Sequence, residues 1–111
     1  MIEKVLYDYL STALDVPVYT MRPEDAPPTY VTIDKTGGSK SNRVEVATVA
    51  IQSYAPTLLE VIQLDEEVKD AMEGIVELSS VGGVALMTDA NFPDLQRKVP
   101  RYQAVFNITY Y

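Results

Sequence analysis

Apolar residues recur at three- and four-residue spacing in two stretches of the chain, the pattern of an amphipathic helix. The first stretch covers residues 2–14, and Pro17 ends it because the residue before a proline is pushed out of the helical conformation. The second begins after Thr57, which we expect to cap the helix, with Glu60 completing a capping box. Gly74 is the predicted terminator of this second helix. The pattern therefore predicts two helices, each burying one face.

The remaining segments are rich in β-branched and aromatic residues, as strands are. They cover residues 17–21, 29–36, 43–54, 81–89 and 101–110. Segment 43–54 has no clearly polar face, which predicts that both of its sides are covered, by its own domain or by a partner. The order α-β-β-β-α-β-β in a single domain, residues 1–111, predicts an α+β fold: a mostly antiparallel sheet with two helices packed on one face.

The segment "KTGGSKSNR" raises the possibility of a phosphate-binding loop. Such loops lead from a strand into a helix, whose N-terminus supplies oriented N–H groups, whereas this segment leads into another strand. Lys40 also lacks the spacing G-x-x-x-x-G-K-[ST]. We therefore expect a hairpin connection over residues 36–43, in which Gly37 and Gly38 supply positive φ, and no bound nucleotide.

The length of the strand after this loop bears on the shape of the molecule. Twelve residues, 43–54, extend about 40 Å at ~3.3 Å per residue. A compact domain of this size has a radius of gyration of only ~13 Å. The hairpin must therefore bend sharply or project from the body of the protein.

Composition narrows the possible functions. The chain has no cysteine and no histidine, which excludes disulfides, zinc sites of the usual ligand sets and a histidine general base. A net charge of −7 argues against non-specific binding of nucleic acid. Asp65, Glu66 and Glu67 share one helix and point around it, so we expect no metal site there. We expect a protein that is not an enzyme and that needs no cofactor.

No membrane or export segment is expected either. The N-terminus lacks a basic start followed by an apolar run, so it does not read as a signal peptide. The longest apolar stretch, "VGGVALM", is far shorter than the ~20 residues that span a bilayer. The sequence thus predicts a soluble protein.

Charges of opposite sign gather in different segments. Lys40 and Arg43 carry the charge of the hairpin loop, and Glu66, Asp70 and Glu73 form an acidic face on the second helix. Solvated surface is one interpretation of both groups. The other is that the loop docks on a neighbouring protein, either this acidic face of the next subunit or an acidic connector surface.

The aromatic residues suggest a further contact. Core packing accounts for most of the eight tyrosines, but tyrosine is also enriched at interfaces because its ring buries area while its hydroxyl stays hydrogen-bonded. The chain ends in "FNITYY", and an apolar terminus is normally held in place. We therefore expect Tyr110 and Tyr111 to lie at an intersubunit contact.

Three stretches together resemble one protein family: "MIEKVLYDYLSTALDVPVYTMRPEDAPPTYVTIDKTGG", "ATVAIQSYAPTLLEVIQLDEEVKDAM" and "NFPDLQRKVPRYQAVFNI". They are similar to the small tail-terminator proteins (also called tail-completion or neck proteins) of long-tailed phages, in the versions carried by prophages of Gram-positive bacteria. The similarity spans nearly the whole chain in length, element order and these segments. The family has no catalytic signature.

The resemblance implies a homo-oligomeric ring, with six subunits as the expected number, that caps the finished tail tube. Such a ring stops tube polymerisation and presents a surface to the head–tail connector proteins of the neck. DNA passes through its lumen without sequence-specific binding. The implied location is the virion, after assembly in the cytoplasm of the bacterial host. Residues 36–43 correspond to the family's hairpin, which is expected to reach a neighbour.

Three alternatives stay open. A tail-tube subunit would be mainly a β-sandwich, and the two predicted helices depart from that pattern. A head-closure, connector or minor capsid protein of the neck fits the same features. A small non-enzymatic binding or regulatory module is the alternative from a different class, since one fold hosts many functions. Self-assembly separates this module from a ring-forming protein.

Overall fold

A computed structural model describes residues 1–111. It confirms the predicted α+β fold and the element order α-β-β-β-α-β-β. A short 3₁₀ turn, Gly74–Glu77, follows the second helix. No helix of the chain is long and apolar enough to cross a membrane. The elements are α1 (Ile2–Ala13), β1 (Val18–Tyr19), β2 (Tyr30–Ser41), β3 (Val44–Tyr54), α2 (Leu58–Glu73), β4 (Val81–Asn91) and β5 (Arg101–Tyr110).

The five strands form one sheet in the order β1-β2-β3-β5-β4. Only the two-residue strand β1 runs parallel to its neighbour β2, and the other three pairings are antiparallel. Strands β2 and β3 form a long hairpin, and so do β4 and β5. The mostly antiparallel sheet is therefore confirmed, with β3 at its centre.

Both helices cover the same face of the sheet. Along β3 the alternate residues Ala47, Val49 and Ile51 are fully buried beneath them. Leu6 of α1 and Val68 of α2 are also fully buried, and all five belong to one core cluster of 19 residues. Each large apolar side chain buried in this way contributes about 1.5–3 kcal/mol to folding. The apolar faces that the sequence pattern predicts for the helices and for β3 thus pack together in a single core.

Different local features mark the two ends of α2. Thr57 caps the N-terminus as predicted, because its Oγ1 accepts a hydrogen bond from the Glu60 N–H at 3.2 Å. Gly74 has a φ of −79°, so it does not end the helix through a left-handed conformation. It allows close packing instead, because a Cβ there would lie 2.8 Å from the Tyr9 hydroxyl. That hydroxyl donates a hydrogen bond to the Ala71 carbonyl oxygen at 2.6 Å and ties α1 to α2.

The face of the sheet away from the helices carries a row of polar side chains. Gln52 on β3 accepts a hydrogen bond from the Thr32 hydroxyl at 3.2 Å and donates one to Gln103 of β5 at 2.9 Å. Thr48 donates a bond to Asn107 at 2.8 Å on the same face. Cross-strand hydrogen bonds satisfy these polar groups, and Ala50 and Tyr54 of β3 are buried on the same face. Coverage of this side of segment 43–54 by a partner stays a prediction.

Candidate interaction surfaces

The hairpin between β2 and β3 ends in a two-residue turn. Asn42 and Arg43 have φ values of 51° and 69°, the left-handed conformation that both central residues of a type I′ turn require. Gly37 and Gly38 lie inside β2, next to a bulge, and neither has a positive φ. The predicted glycine loop over residues 36–43 is thus wrong, because strand pairing continues up to the turn.

Close packing against the neighbouring strand explains the glycine at position 38. A Cβ on Gly38 would lie 3.0 Å from the Val46 carbonyl oxygen of β3, so a larger residue would push the strands apart. Glycine is uncommon in strands, but pairing with β3 keeps Gly37 and Gly38 in a strand here. The hairpin returns directly into β3, so no helix begins at this point.

The outer half of β2 with the turn after it, which we call the hairpin arm (residues 34–43), pairs with β3 on one side and forms an edge of the sheet on the other. Every residue in it is exposed, and the molecule measures 43 × 24 × 24 Å. Lys40 lies opposite Glu45 in the strand register, yet neither Lys40 nor Arg43 takes part in any of the five ion pairs of the chain. The end of the arm therefore carries two unpaired positive charges.

The predicted acidic face of α2 is present, but its net negative charge is smaller than the number of its acidic residues suggests. Glu66, Asp70 and Glu73 are all exposed, and their four- and three-residue spacing places them along one side of the helix. The Nζ atom of Lys69 lies 2.7 Å from Glu66 Oε1 and offsets that charge. Asp70 and Glu73 form no ion pair. The free negative charge of this face is thus concentrated at those two residues.

Lys69 also joins α2 to the edge strand β4. Its Nζ atom lies 2.6 Å from Asp89 Oδ2 and 3.6 Å from Asp65 Oδ2. Asp65 is only 1% exposed, and its Oδ1 has no hydrogen-bond partner. Burial raises the pKa of Asp65 to about 7, and the hydrogen bond and charge of Asp89 add to that shift while Lys69 opposes it.

The two carboxyl groups hold their protons with different strength. Partial burial acts to raise the pKa of Asp89, but hydrogen bonds from Asp65 and Lys69 outweigh it and the pKa is lowered. When the pair holds one proton, that proton therefore resides on Asp65, and Asp89 keeps the negative charge that pairs with Lys69.

The same cluster contains the only convergence of carboxylates in the chain that could hold a metal ion. One oxygen each from Asp65, Glu66 and Asp89 lies within 4.8 Å of the others. Sequence reasoning had considered Glu67 in place of Asp89, which comes from a distant strand. The ammonium group of Lys69 already contacts Glu66 and Asp89, so a metal ion would have to displace it. The arrangement acts as an ion-pair cluster that fastens β4 to α2.

The two C-terminal tyrosines lie in different environments. Tyr110 is 9% exposed and belongs to the core cluster beneath the helices. Its expected place at an intersubunit contact is therefore wrong, because alternation along β5 turns it inward with Ala104, Phe106 and Ile108. Tyr111 is 69% exposed, and it lies so close to Gly82 that a Cβ on that glycine would clash with its hydroxyl. Only Tyr111 is accessible to a partner.

Sequence reasoning missed a cluster of arginines and tyrosines at the opposite end of the hairpin from the turn. The rings of Tyr30 and Tyr54 stack with their centroids 4.3 Å apart and their planes 8° apart. Arg22 donates a hydrogen bond from Nε to the Tyr30 hydroxyl at 2.9 Å. Arg101 lies over the Phe92 ring, with Cζ 4.4 Å from its centroid. Pairing outward from the Asn-Arg turn places Tyr30 opposite Ala55, and only the bulge between Lys35 and Gly37 shifts it opposite Tyr54, so the sequence alone gives no signal for the stack.

Comparison with known proteins does not assign the chain to a family. A scan against protein-family models and a search of curated proteins found no match to this chain.

Proposed function

We propose that this protein is a tail terminator of a long-tailed phage or prophage. In this role it forms a homo-oligomeric ring on the end of the finished tail tube and stops further addition of tube subunits. The upper surface of the ring then joins the tail to the head connector. This is a structural role in the virion neck, performed without catalysis or cofactor, and the protein assembles in the cytoplasm of the bacterial host.

The hairpin arm is the observation that carries the proposal. Ten consecutive residues, 34–43, are exposed, and residues 34–41 pair with β3 on one side while no strand pairs with their other side. A strand edge without a neighbour presents unpaired backbone N–H and C=O groups, so this edge is suited to pairing with a neighbouring subunit. The corresponding hairpin of the family that the chain resembles is expected to reach a neighbour in the same way.

Charge supports a specific docking of the arm. The end of the arm carries Lys40 and Arg43 without partners, and α2 carries Asp70 and Glu73 without partners. In a ring, the arm of one subunit would lie along α2 of the next, which pairs all four charges. Exposed pairs of this kind contribute only about 0.2–1 kcal/mol each, so they set orientation and association rate more than affinity.

Deletion of the gene from the phage or prophage that encodes it tests the role. Loss of a tail terminator should give tubes of uncontrolled, excessive length and free heads, as seen by electron microscopy. Loss of a head-closure or connector protein would instead leave tails of normal length that fail to join heads. Normal virions after deletion would favour a small binding or regulatory module. Complementation with the intact gene should restore tails of normal length.

A further inference from the structure

A pocket of about 490 Å³ lies at the end of the molecule opposite the hairpin turn. The stacked rings of Tyr30 and Tyr54 form part of its wall, and both residues are at most 5% exposed. Pro27 and Pro28 line it as well, and proline has little backbone freedom to lose when a ligand binds. The pocket is thus built in part from rigid groups, and Arg22 and Arg97 also line it.

Arg22, which lines this pocket, has no counter-ion within the chain. Its Nε atom donates to the Tyr30 hydroxyl and its Nη1 atom to the Pro23 carbonyl oxygen, and its other N–H groups have no acceptor. No carboxylate forms an ion pair with it, although Glu24 and Asp25 follow closely in the sequence. A half-buried guanidinium with free donors is suited to a carboxylate from outside the chain.

Two further groups at the pocket offer hydrogen-bond donors. Arg97 donates from Nη1 to Asp94 Oδ2 at 2.8 Å and from its backbone N–H to Asp94 Oδ1 at 3.1 Å, and its other guanidinium N–H groups have no acceptor. The Tyr30 hydroxyl accepts a bond from Arg22 but has no acceptor for its own proton. Burial raises the pKa of Tyr30, although Arg22 opposes that shift, so the hydroxyl remains a donor at neutral pH. Arg22, Tyr30 and Arg97 thus line one pocket, and each has a side-chain N–H or O–H group without an acceptor in the chain.

We infer that this pocket binds a carboxylate of an acidic, extended segment from a partner protein. Arginine and tyrosine are the residue types enriched at the centres of protein interfaces, and the guanidinium fork matches a carboxylate geometrically. A nucleic acid is disfavoured as the occupant because the chain as a whole carries a charge of −7. The site lies at the other end of the molecule from the hairpin turn, so an acidic segment would bind there whether or not the arm mediates ring formation.

NMR titration of the full-length protein with a blocked oligoglutamate peptide tests this directly. Backbone amides of Arg22, Tyr30, Tyr54 and Arg97 should shift, whereas those at the hairpin turn should not. An oligoglutamine peptide of the same length should cause no shift. Shifts confined to the hairpin arm, no shift at all, or tighter binding of a single-stranded oligonucleotide at the pocket would each overturn the assignment.

Variants give a second, independent readout. Arg22→Gln should weaken peptide binding about tenfold, the loss expected for one charge-assisted hydrogen bond. Arg22→Lys keeps the charge but loses the planar guanidinium fork. Its affinity for the peptide should lie between those of the unchanged protein and Arg22→Gln. Arg43→Gln makes the same chemical change at the hairpin turn and should bind as the unchanged protein does. Equal affinity of the Arg22→Gln and Arg43→Gln proteins would contradict the inference, and the NMR map of the unchanged protein decides the matter if Arg22→Gln fails to fold.

Discussion

The Nζ atom of Lys69 on α2 lies 2.6 Å from Oδ2 of Asp89 on β4, and this ion pair fastens the edge strand of the sheet to the helix layer. The buried carboxyl group of Asp65 lies next to it. One cation thus serves two carboxyl groups with different exposure, and the buried one binds a proton more tightly than an ordinary aspartate does. Titration of the Asp65 carboxyl group should therefore make the free energy of unfolding depend on pH.

Asp65→Asn should change how stability depends on pH. Because the pKa of Asp65 is about 7 in the folded protein and near 3.8 when unfolded, the folded state holds the extra proton between these values. Its contribution to the free energy of unfolding is fully present below about pH 3.8 and is lost as the pH rises through 7. Denaturant unfolding between about pH 4 and pH 7, the window of the shift, should show a smaller decline in the variant.

Asp34→Asn is a suitable control for this experiment, since Asp34 is exposed in the hairpin arm and forms no ion pair. Its pH profile should follow that of the unchanged protein. Parallel profiles for Asp65→Asn and Asp34→Asn would show that the buried carboxyl group does not hold the extra proton.

The two C-terminal tyrosines should differ sharply in their effect on folding. Tyr110→Ala removes a ring from the core and should cost roughly 3–5 kcal/mol, in the range of large-to-small aromatic substitutions. Tyr111→Ala removes an exposed ring and should change stability by no more than about 0.5 kcal/mol. Thermal unfolding followed by circular dichroism measures both. Equal destabilisation by the two substitutions would contradict the placement of Tyr110 in the core.

Charge reversal at the end of the hairpin arm should affect assembly more than folding. In the proposed ring, Lys40→Glu combined with Arg43→Glu would bring negative charge against the acidic face of α2 of the next subunit, so association should slow while the melting temperature stays nearly constant. Light scattering measures the association rate. The matched control is Lys4→Glu with Lys98→Glu, two exposed residues outside the arm, which makes the same change in net charge. An unchanged association rate in the arm variant would exclude the proposed docking.

The hairpin should also give no response to nucleotides. The glycine pair lies within a strand, and no helix N-terminus stands beside it. A ligand raises the melting temperature only by binding the native state, so ATP or GTP should leave it unmoved. A nucleotide-dependent rise would show that the segment "KTGGSKSNR" binds phosphate after all.

Local patterns predicted the regular elements well, because each depends on residues close in sequence. The apolar period of α1 and the Thr57 cap of α2 are legible within a single stretch. The inward side of Tyr110 also follows from the pattern along β5, where Ala104, Phe106 and Ile108 alternate with Gln103, Val105, Asn107 and Thr109, of which only Val105 is apolar. Extending the two-residue alternation of β5 to its last residue places Tyr110 on the side that faces the core.

Features that depend on pairing between distant segments could not be predicted in this way. The glycine pair reads as a loop in isolation, and only its register with β3 keeps it in a strand. The contact of Lys69 with Asp89 and the stacking of Tyr30 on Tyr54 each join residues about twenty positions apart. Their positions follow from strand register and helix packing, which the sequence pattern alone does not specify.

Native mass spectrometry of the purified full-length protein over a concentration series, with and without tail-tube protein, tests the central proposal most directly. A tail terminator should give one closed oligomer of fixed stoichiometry, with six subunits expected, either alone or on tube ends. Its arm-reversed variant should populate that oligomer more slowly. A protein that remains monomeric at every concentration and does not associate with tubes would contradict the proposal that it forms the terminating ring.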